Sequence, residues 1–203
     1  MIFVIVPLGK AAPQVINWLW RVFMYTAGST VGAALLALLL GYVGLGLHRV
    51  LPWFTNTWAV VVLGVAALIF ALKELNIVKL PALQIGWQVP ASWMRPSRVL
   101  GNTLYGIVLG AGIFTFIPFA SFYLLLMWEI AAGAVSLQSA VLLGMIYGAA
   151  RGATAILGGI SVLRGAYPVD LSQWLIGHLG WWHAVNAFVL LLIAGLLLGS
   201  FII

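Results

Sequence analysis

The chain has no cysteine among its 203 residues and only three acidic side chains, Glu74, Glu129 and Asp170. The first absence excludes disulfides, thiolate metal sites, cysteine nucleophiles and dithiol relays made by this chain alone. It does not fix a redox compartment. With so few acids there is no carboxylate pair on one helix face, and no Ser-His-Asp arrangement, phosphate loop or metal-ligand spacing stands in for one. The expectation is a chain without catalytic residues, metal or cofactor. Charge of either sign is scarce: charged residues make up 6% of the chain, against about 25% in a soluble globular domain. What fills the chain instead is apolar, 65% of residues, with a mean hydropathy of +1.19. Twelve formal charges (nine Lys+Arg, three Asp+Glu) cannot solvate a water-soluble fold of this size, so lipid is the solvent that suits most of its surface.

The net charge of +6 invites a nucleic-acid reading, but the basic residues lie mainly between apolar blocks, where membrane anchors lie. The interleaved basic and aromatic surface that nucleic-acid binding needs is absent, and nucleic acid is excluded as a partner. The expected partners are the bilayer and other membrane subunits. The short apolar run Ile2 to Val6 has no basic region before it and is shorter than a signal core of roughly 7–15 residues. Residues 1–19 read as an interfacial segment interrupted by Pro7 and Pro13, with Trp18 and Trp20 at headgroup level.

A membrane-crossing helix needs about 20 apolar residues. Five blocks qualify, at about 22–47, 58–78, 102–128, 135–163 and 182–203. The predicted fold is therefore all-α and polytopic, a single transmembrane domain over 1–203. The third and fourth blocks exceed the minimum, which predicts tilt or a break. Basic residues alternate between the loops. Lys10 and Arg21 precede the first block, Arg49 stands alone in the next loop, and Lys73, Lys79, Arg95 and Arg98 flank the long connection. No basic residue follows the third block, and Arg164 follows the fourth. The positive-inside rule then predicts a multi-pass protein of the cell (inner) membrane with a cytoplasmic N-terminus and an external C-terminus. The connection 79–101 holds Pro81, Pro90 and Pro96 and reads as a cytoplasmic loop on the membrane surface. The tryptophans 174, 181 and 182 read as an aromatic belt, and His178 and His183, five apart, miss the i,i+4 spacing of paired helical ligands.

Two segments echo each other. Val31-Gly32-Ala33-Ala34 leads to Pro52, and Tyr147-Gly148-Ala149-Ala150 leads to Pro168, with the same Gly-to-Pro spacing. The blocks that carry them have opposite predicted orientations, as inverted repeats do. The segments Leu72-Lys73-Glu74-Leu75-Asn76-Ile77-Val78-Lys79-Leu80-Pro81 and Leu104-Tyr105-Gly106-Ile107-Val108-Leu109-Gly110-Ala111-Gly112, with Thr115-Phe116-Ile117-Pro118-Phe119-Ala120-Ser121 beyond, resemble the transmembrane domain of the CcdA/DsbD family of thiol-disulfide transporters. That resemblance implies a bundle of inverted three-helix repeats, here truncated, with Phe119 where the family carries a reactive cysteine. It implies the fold without the redox chemistry.

A few residues stand out within the blocks. Pro118 removes a backbone hydrogen bond inside the third block, and Thr115 and Ser121 are placed to answer the freed carbonyl. The structural reading is a kink; the functional one is a broken helix lining a pathway. Arg151 lies midway along the fourth block, where a charge needs a partner. Pairing with Glu129, a partner's carboxylate, snorkelling, and solute or lipid-headgroup binding are the options. Glu129 itself reads as a solvated carboxylate at the end of the third block. Gly28 and Gly32, and Gly106 and Gly110, are Gly-xxx-Gly pairs that permit close helix contact. Together these readings predict a non-catalytic structural or assembly subunit of a membrane complex. The alternative is a small-solute or ion transporter, with Thr115, Pro118, Ser121, Glu129 and Arg151 along the pathway.

Overall fold

A computed structural model describes residues 12–51, 56–81, 98–112, 117, 119–165 and 167–202. Among these residues the regular structure is all helical, without a strand. The helices are α1 (Ala12–Val50), α2 (Asn56–Glu74), α3 (Arg98–Ala111), α4 (Ser121–Val135), α5 (Leu137–Leu163), α6 (Pro168–Gly177) and α7 (Leu179–Ile202). Four of them, α1, α2, α5 and α7, are long and apolar enough to cross a membrane. They carry Phe188, Leu196, Leu39, Ile146 and Leu157 more than 60% exposed. Large apolar side chains exposed to that extent belong against lipid.

The third expected span is not one helix. Residues 102–128 divide between α3 and α4, and at 14 and 15 residues neither reaches the roughly 20 that a crossing needs. Gly112 ends α3. Its φ of 72° places it in the left-handed region, and its N–H bonds the Leu109 carbonyl at 3.1 Å. A glycine adopts that conformation without the steric penalty a Cβ brings. Pro118 and Thr115, the residues expected to shape this region, lie outside the described residues. The N-terminal side differs too. Residues 12–19, read from sequence as interfacial, are the first two turns of α1. Pro13 falls in the first turn, where its missing N–H has no helical partner to lose. Trp18 is 4% exposed and belongs to a core, whereas Trp20 is half exposed.

The chain packs as two compact units. The first comprises residues 1–36, 84–116 and 144–177, and the second residues 37–83, 117–143 and 178–203. In the first unit, α1 is pressed against α3 and α5 through glycines. A Cβ on Gly28 would strike the Thr103 carbonyl, one on Gly32 the Ile107 carbonyl, one on Gly106 the Tyr25 carbonyl and one on Gly110 the Ser29 carbonyl. The pairing ascends in both helices together, so α1 and α3 run parallel. Gly148 meets Ser29 and Thr30, Gly152 meets Thr26, and Gly159 lies under the Trp18 ring, so α5 runs antiparallel to α1. In lipid, where apolar side chains gain little by leaving the solvent, such close backbone approach is what holds helices together. Trp18, Val22, Tyr25, Tyr105, Leu109 and Ala155 form the core around these crossings.

In the second unit, α2 packs on α7 and on α4. Leu63, Ala67 and Ala71 form an i,i+4 seam on α2, and Ala187, Leu190 and Ala194 a seam on α7, all 5% exposed or less. Gly64 meets Leu198, and Glu74 meets His183, so the two helices are antiparallel. The last part of α1 joins this unit, with Gly41 against Gly133 and Gly44 against the Ile130 carbonyl. Helix α2 ends in a Schellman turn: Ile77 N–H bonds the Leu72 carbonyl and Asn76 N–H the Lys73 carbonyl, both at 2.9 Å. Asn76 takes the left-handed position, with φ of 59°, that such a turn requires.

The glycine contacts predict a position-specific cost. Gly28→Ala should destabilise the detergent-solubilised protein by about 1–3 kcal/mol, the usual penalty of overpacking. Gly46→Ala, at a glycine with nothing within 4 Å of the added Cβ, should leave it unchanged. Thermal melts followed by circular dichroism compare the two; equal melting temperatures would refute the α1–α3 contact.

Candidate functional site

The α2 and α7 seams both end on a polar residue. Glu74 continues the run Leu63, Ala67, Ala71 by three residues, and His183 precedes Ala187 by four, so helical geometry brings the two side chains together. The Glu74 carboxylate, its side chain 1% exposed, is hydrogen-bonded through Oε2 to His183 Nδ1. Its other oxygen, Oε1, accepts the backbone N–H of Ala120. Ala120 is the N-cap residue of α4 and offers no side chain to cap it. Glu74 therefore does from another helix what a capping side chain does locally, with its negative charge at the positive end of the α4 dipole. The Phe119 ring lies 5.2 Å from the His183 ring and shields the pair on one side.

Next to this pair lies a cavity of about 240 Å³ lined by Lys73, Glu74, Asn76, Lys79 and His183. Lys73 Nζ sits 5.5 Å from the centre of the Tyr123 ring, a cation–π placement. The arrangement offers basic and hydrogen-bonding groups to a small polar ligand. One histidine and one carboxylate are too few to hold a metal ion. Among the described residues no group of three or more His, Asp or Glu comes together.

The residues singled out from sequence fall elsewhere. Arg151, half-buried in α5, donates to the Tyr147 hydroxyl at 3.1 Å and shares a side-chain hydrogen bond with Tyr25. Tyr105 stacks obliquely on Tyr25, ring centres 6.0 Å apart. The charge is thus met by tyrosine hydroxyls of its own unit, and Glu129, weighed above as its partner, belongs to the other unit. Glu129 is not the solvated end-of-span carboxylate that was expected. It is 2% exposed, inside α4, and its Oε2 has no hydrogen-bond partner among the described residues. The physical reason is the helix break: once α4 starts at Ser121, Glu129 lies two turns inside it, one turn from Gly133 and its close contact with Gly41. Ser121, the first residue of α4, is half-buried. Thr115 and Pro118 lie outside the described residues. Gly28, Gly32, Gly106 and Gly110 stand at the α1–α3 crossing.

The Glu74–His183 pair escaped the sequence reading. His183 was weighed only with His178 as a ligand pair and set aside on its spacing, and Glu74 served only within a resemblance. A signal was there: Glu74 is one of three acids in the chain and falls in register with an apolar seam, where a carboxylate needs a partner.

No family model matches the chain, and no solved structure matches it. It is similar to the methylamine utilization protein MauF of Paracoccus denitrificans, 32% identical over 132 residues, which is 64% of this chain and 46% of that protein. The MauF of Paracoccus versutus is 31% identical over 132 residues, 64% of this chain and 47% of that protein. The chain thus spans about half the length of the curated relatives it matches. These findings overturn the resemblance to the CcdA/DsbD family. The short apolar segments that carried it are shared by many helical membrane proteins, and the similarity that extends over 132 residues is to MauF.

Removing the carboxylate should release three segments at once. Glu74→Ala leaves Ala120 N–H and His183 Nδ1 without their partner, and breaking a buried pair in this way costs about 3–5 kcal/mol. In a double-mutant cycle of Glu74→Gln with His183→Gln, measured by thermal melts in detergent, the coupling should exceed about 0.5 kcal/mol. Additive effects would refute the pairing.

Proposed function

We propose that this chain is a non-catalytic integral membrane protein that acts as a structural or assembly subunit of a membrane complex serving methylamine utilization. The observation that carries the reading is the similarity to the MauF proteins over 132 residues. Composition supports it independently, since a chain without cysteine brings no thiol chemistry to a complex. The packing supports it as well. Two of the charged groups within the helices are engaged by neighbours of their own unit, Glu74 by His183 and Ala120, Arg151 by tyrosines. The proposal includes an inner-membrane location with the N-terminus in the cytoplasm and the C-terminus outside, argued from the alternation of Lys and Arg between the loops.

Transport of a small solute is the second reading. It draws on the interruption between α3 and α4 and on the cavity beside Glu74, because transporters place broken helices and buried charge along their pathways. A single preparation separates the two. The protein is extracted from native membranes in a mild detergent, and what co-purifies is identified by mass spectrometry. Membrane proteins recovered at fixed stoichiometry, together with loss of growth on methylamine when the gene is deleted, are the outcome expected of a subunit. A chain that purifies alone and monodisperse would overturn that reading and turn attention to flux in proteoliposomes.

A further inference from the structure

We propose that the Lys73–Lys79 end of the second unit is a binding site for one anionic phospholipid. The phosphate sits in the cavity between the two lysines, and an acyl chain lies along the apolar groove that adjoins it. The groove, of about 380 Å³, runs between α2 and α4 and is lined by Phe70, Tyr123, Leu126, Met127 and Ile130. Lys73 and Leu80 line both the groove and the 240 Å³ cavity, so the two spaces share a wall and form one amphiphilic site.

The charges facing the cavity decide which headgroup fits. Lys73, Lys79 and His183 face Glu74, the one acid there, and its two oxygens are already taken by Ala120 N–H and His183. The field left over for a ligand is therefore positive, which favours a phosphate and opposes an amine. The site is also built to hold its shape. Lys73 is fixed over the Tyr123 ring, and the Schellman turn at Asn76 sets the path of the backbone that carries Lys79. A free phosphate would need only the cavity. The groove, walled by rings and aliphatic chains beside the cationic cavity, adds the feature that distinguishes a lipid from an inorganic anion. Anionic headgroups gain about fivefold in affinity per nearby Lys or Arg, and two lysines acting together give roughly thirtyfold.

The test uses the full-length protein in detergent, titrated with phosphatidylglycerol or phosphatidylcholine and observed by native mass spectrometry. One phosphatidylglycerol should be retained per chain and phosphatidylcholine should not. The K73Q/K79Q variant should bind phosphatidylglycerol roughly thirtyfold more weakly, while R164Q, which removes a charge from the other unit, should bind as the unaltered chain does. Met127→Trp, which fills the groove, should weaken the lipid as well. Lys79 is exposed and outside the helix, so K79Q alone, with a smaller loss, keeps the test standing where the double variant does not fold. Equal retention of the two lipids, or unchanged phosphatidylglycerol binding by K73Q/K79Q, would overturn the proposal. So would glycerol 3-phosphate displacing the lipid at equal concentration, because the groove would then contribute nothing.

Discussion

A backbone that leaves the helix within an apolar chain must find partners for the N–H and C=O groups it frees, since lipid offers none. Gly112, Ile117, Phe119 and Ala120 lie outside helix between α3 and α4, and the helix that follows begins without a side-chain cap. Glu74 meets the need from a different helix. Its carboxylate is costly to bury by itself, by several kcal/mol. It is tolerated because one oxygen receives the Ala120 N–H at the positive end of α4 and the other meets His183. The end of α2, the start of α4 and the second turn of α7 are thereby tied at one point. The antiparallel seam of Leu63, Ala67 and Ala71 against Ala187, Leu190 and Ala194 closes the same two helices along their length. Packing brings the helices together and the carboxylate fixes where along them they meet, because only one register places His183 opposite Glu74.

The first unit solves a different problem with different residues. Its register is set by where backbones can touch. Glycines at 28, 32, 106 and 110 let α1 and α3 approach until carbonyl oxygens occupy the space a Cβ would fill, and Gly148, Gly152 and Gly159 do the same for α5. Arg151 is placed by this packing. Gly148 and Gly152 bring α5 against α1, and the guanidinium then reaches Tyr147 on its own helix and Tyr25 on the neighbour. Small residues that allow close approach thus also bring a charged group to its hydroxyl partners.

Much of the helical fold was legible from apolar block lengths, because a helix in lipid must be long and uninterrupted by charge. The blocks at 22–47, 58–78, 135–163 and 182–203 fall largely within α1, α2, α5 and α7. The third block misled for a physical reason. Hydropathy measures affinity for lipid, and the sequence from 112 to 120 stays apolar although Gly112, Ile117 and Phe119 lie outside helix, so composition could not register the break. Glu129 was placed in solvent by the same error, since its position was judged from the end of a span that does not exist as one helix. The site was harder to see than the fold. Glu74 and His183 are 109 residues apart in sequence, and no local spacing announces a contact of that kind. Only the register of α2 against α7 creates it. The long-range resemblance read from short apolar motifs failed similarly, because Leu, Gly and Ala in membrane helices recur under the same packing constraint in unrelated chains.

How the polar groups are used bears on which functional reading is the stronger. A transport pathway needs groups that can exchange a partner for a solute and then regain it, which requires hydrogen-bonding capacity left accessible along a route. In each unit the conspicuous charge is committed instead: Glu74 has both oxygens engaged, and Arg151 is held by two tyrosines. Opening either would expose a buried charge or an uncapped helix, each costing on the order of a few kcal/mol per event. Glu129 is the exception, with an oxygen that no described residue meets, and it lies one turn from the tight Gly41–Gly133 contact, where a passing solute would find little room. Charges committed to fixed partners, in a chain with many exposed apolar side chains, favour a scaffold that keeps its shape in lipid over a device that must open and close.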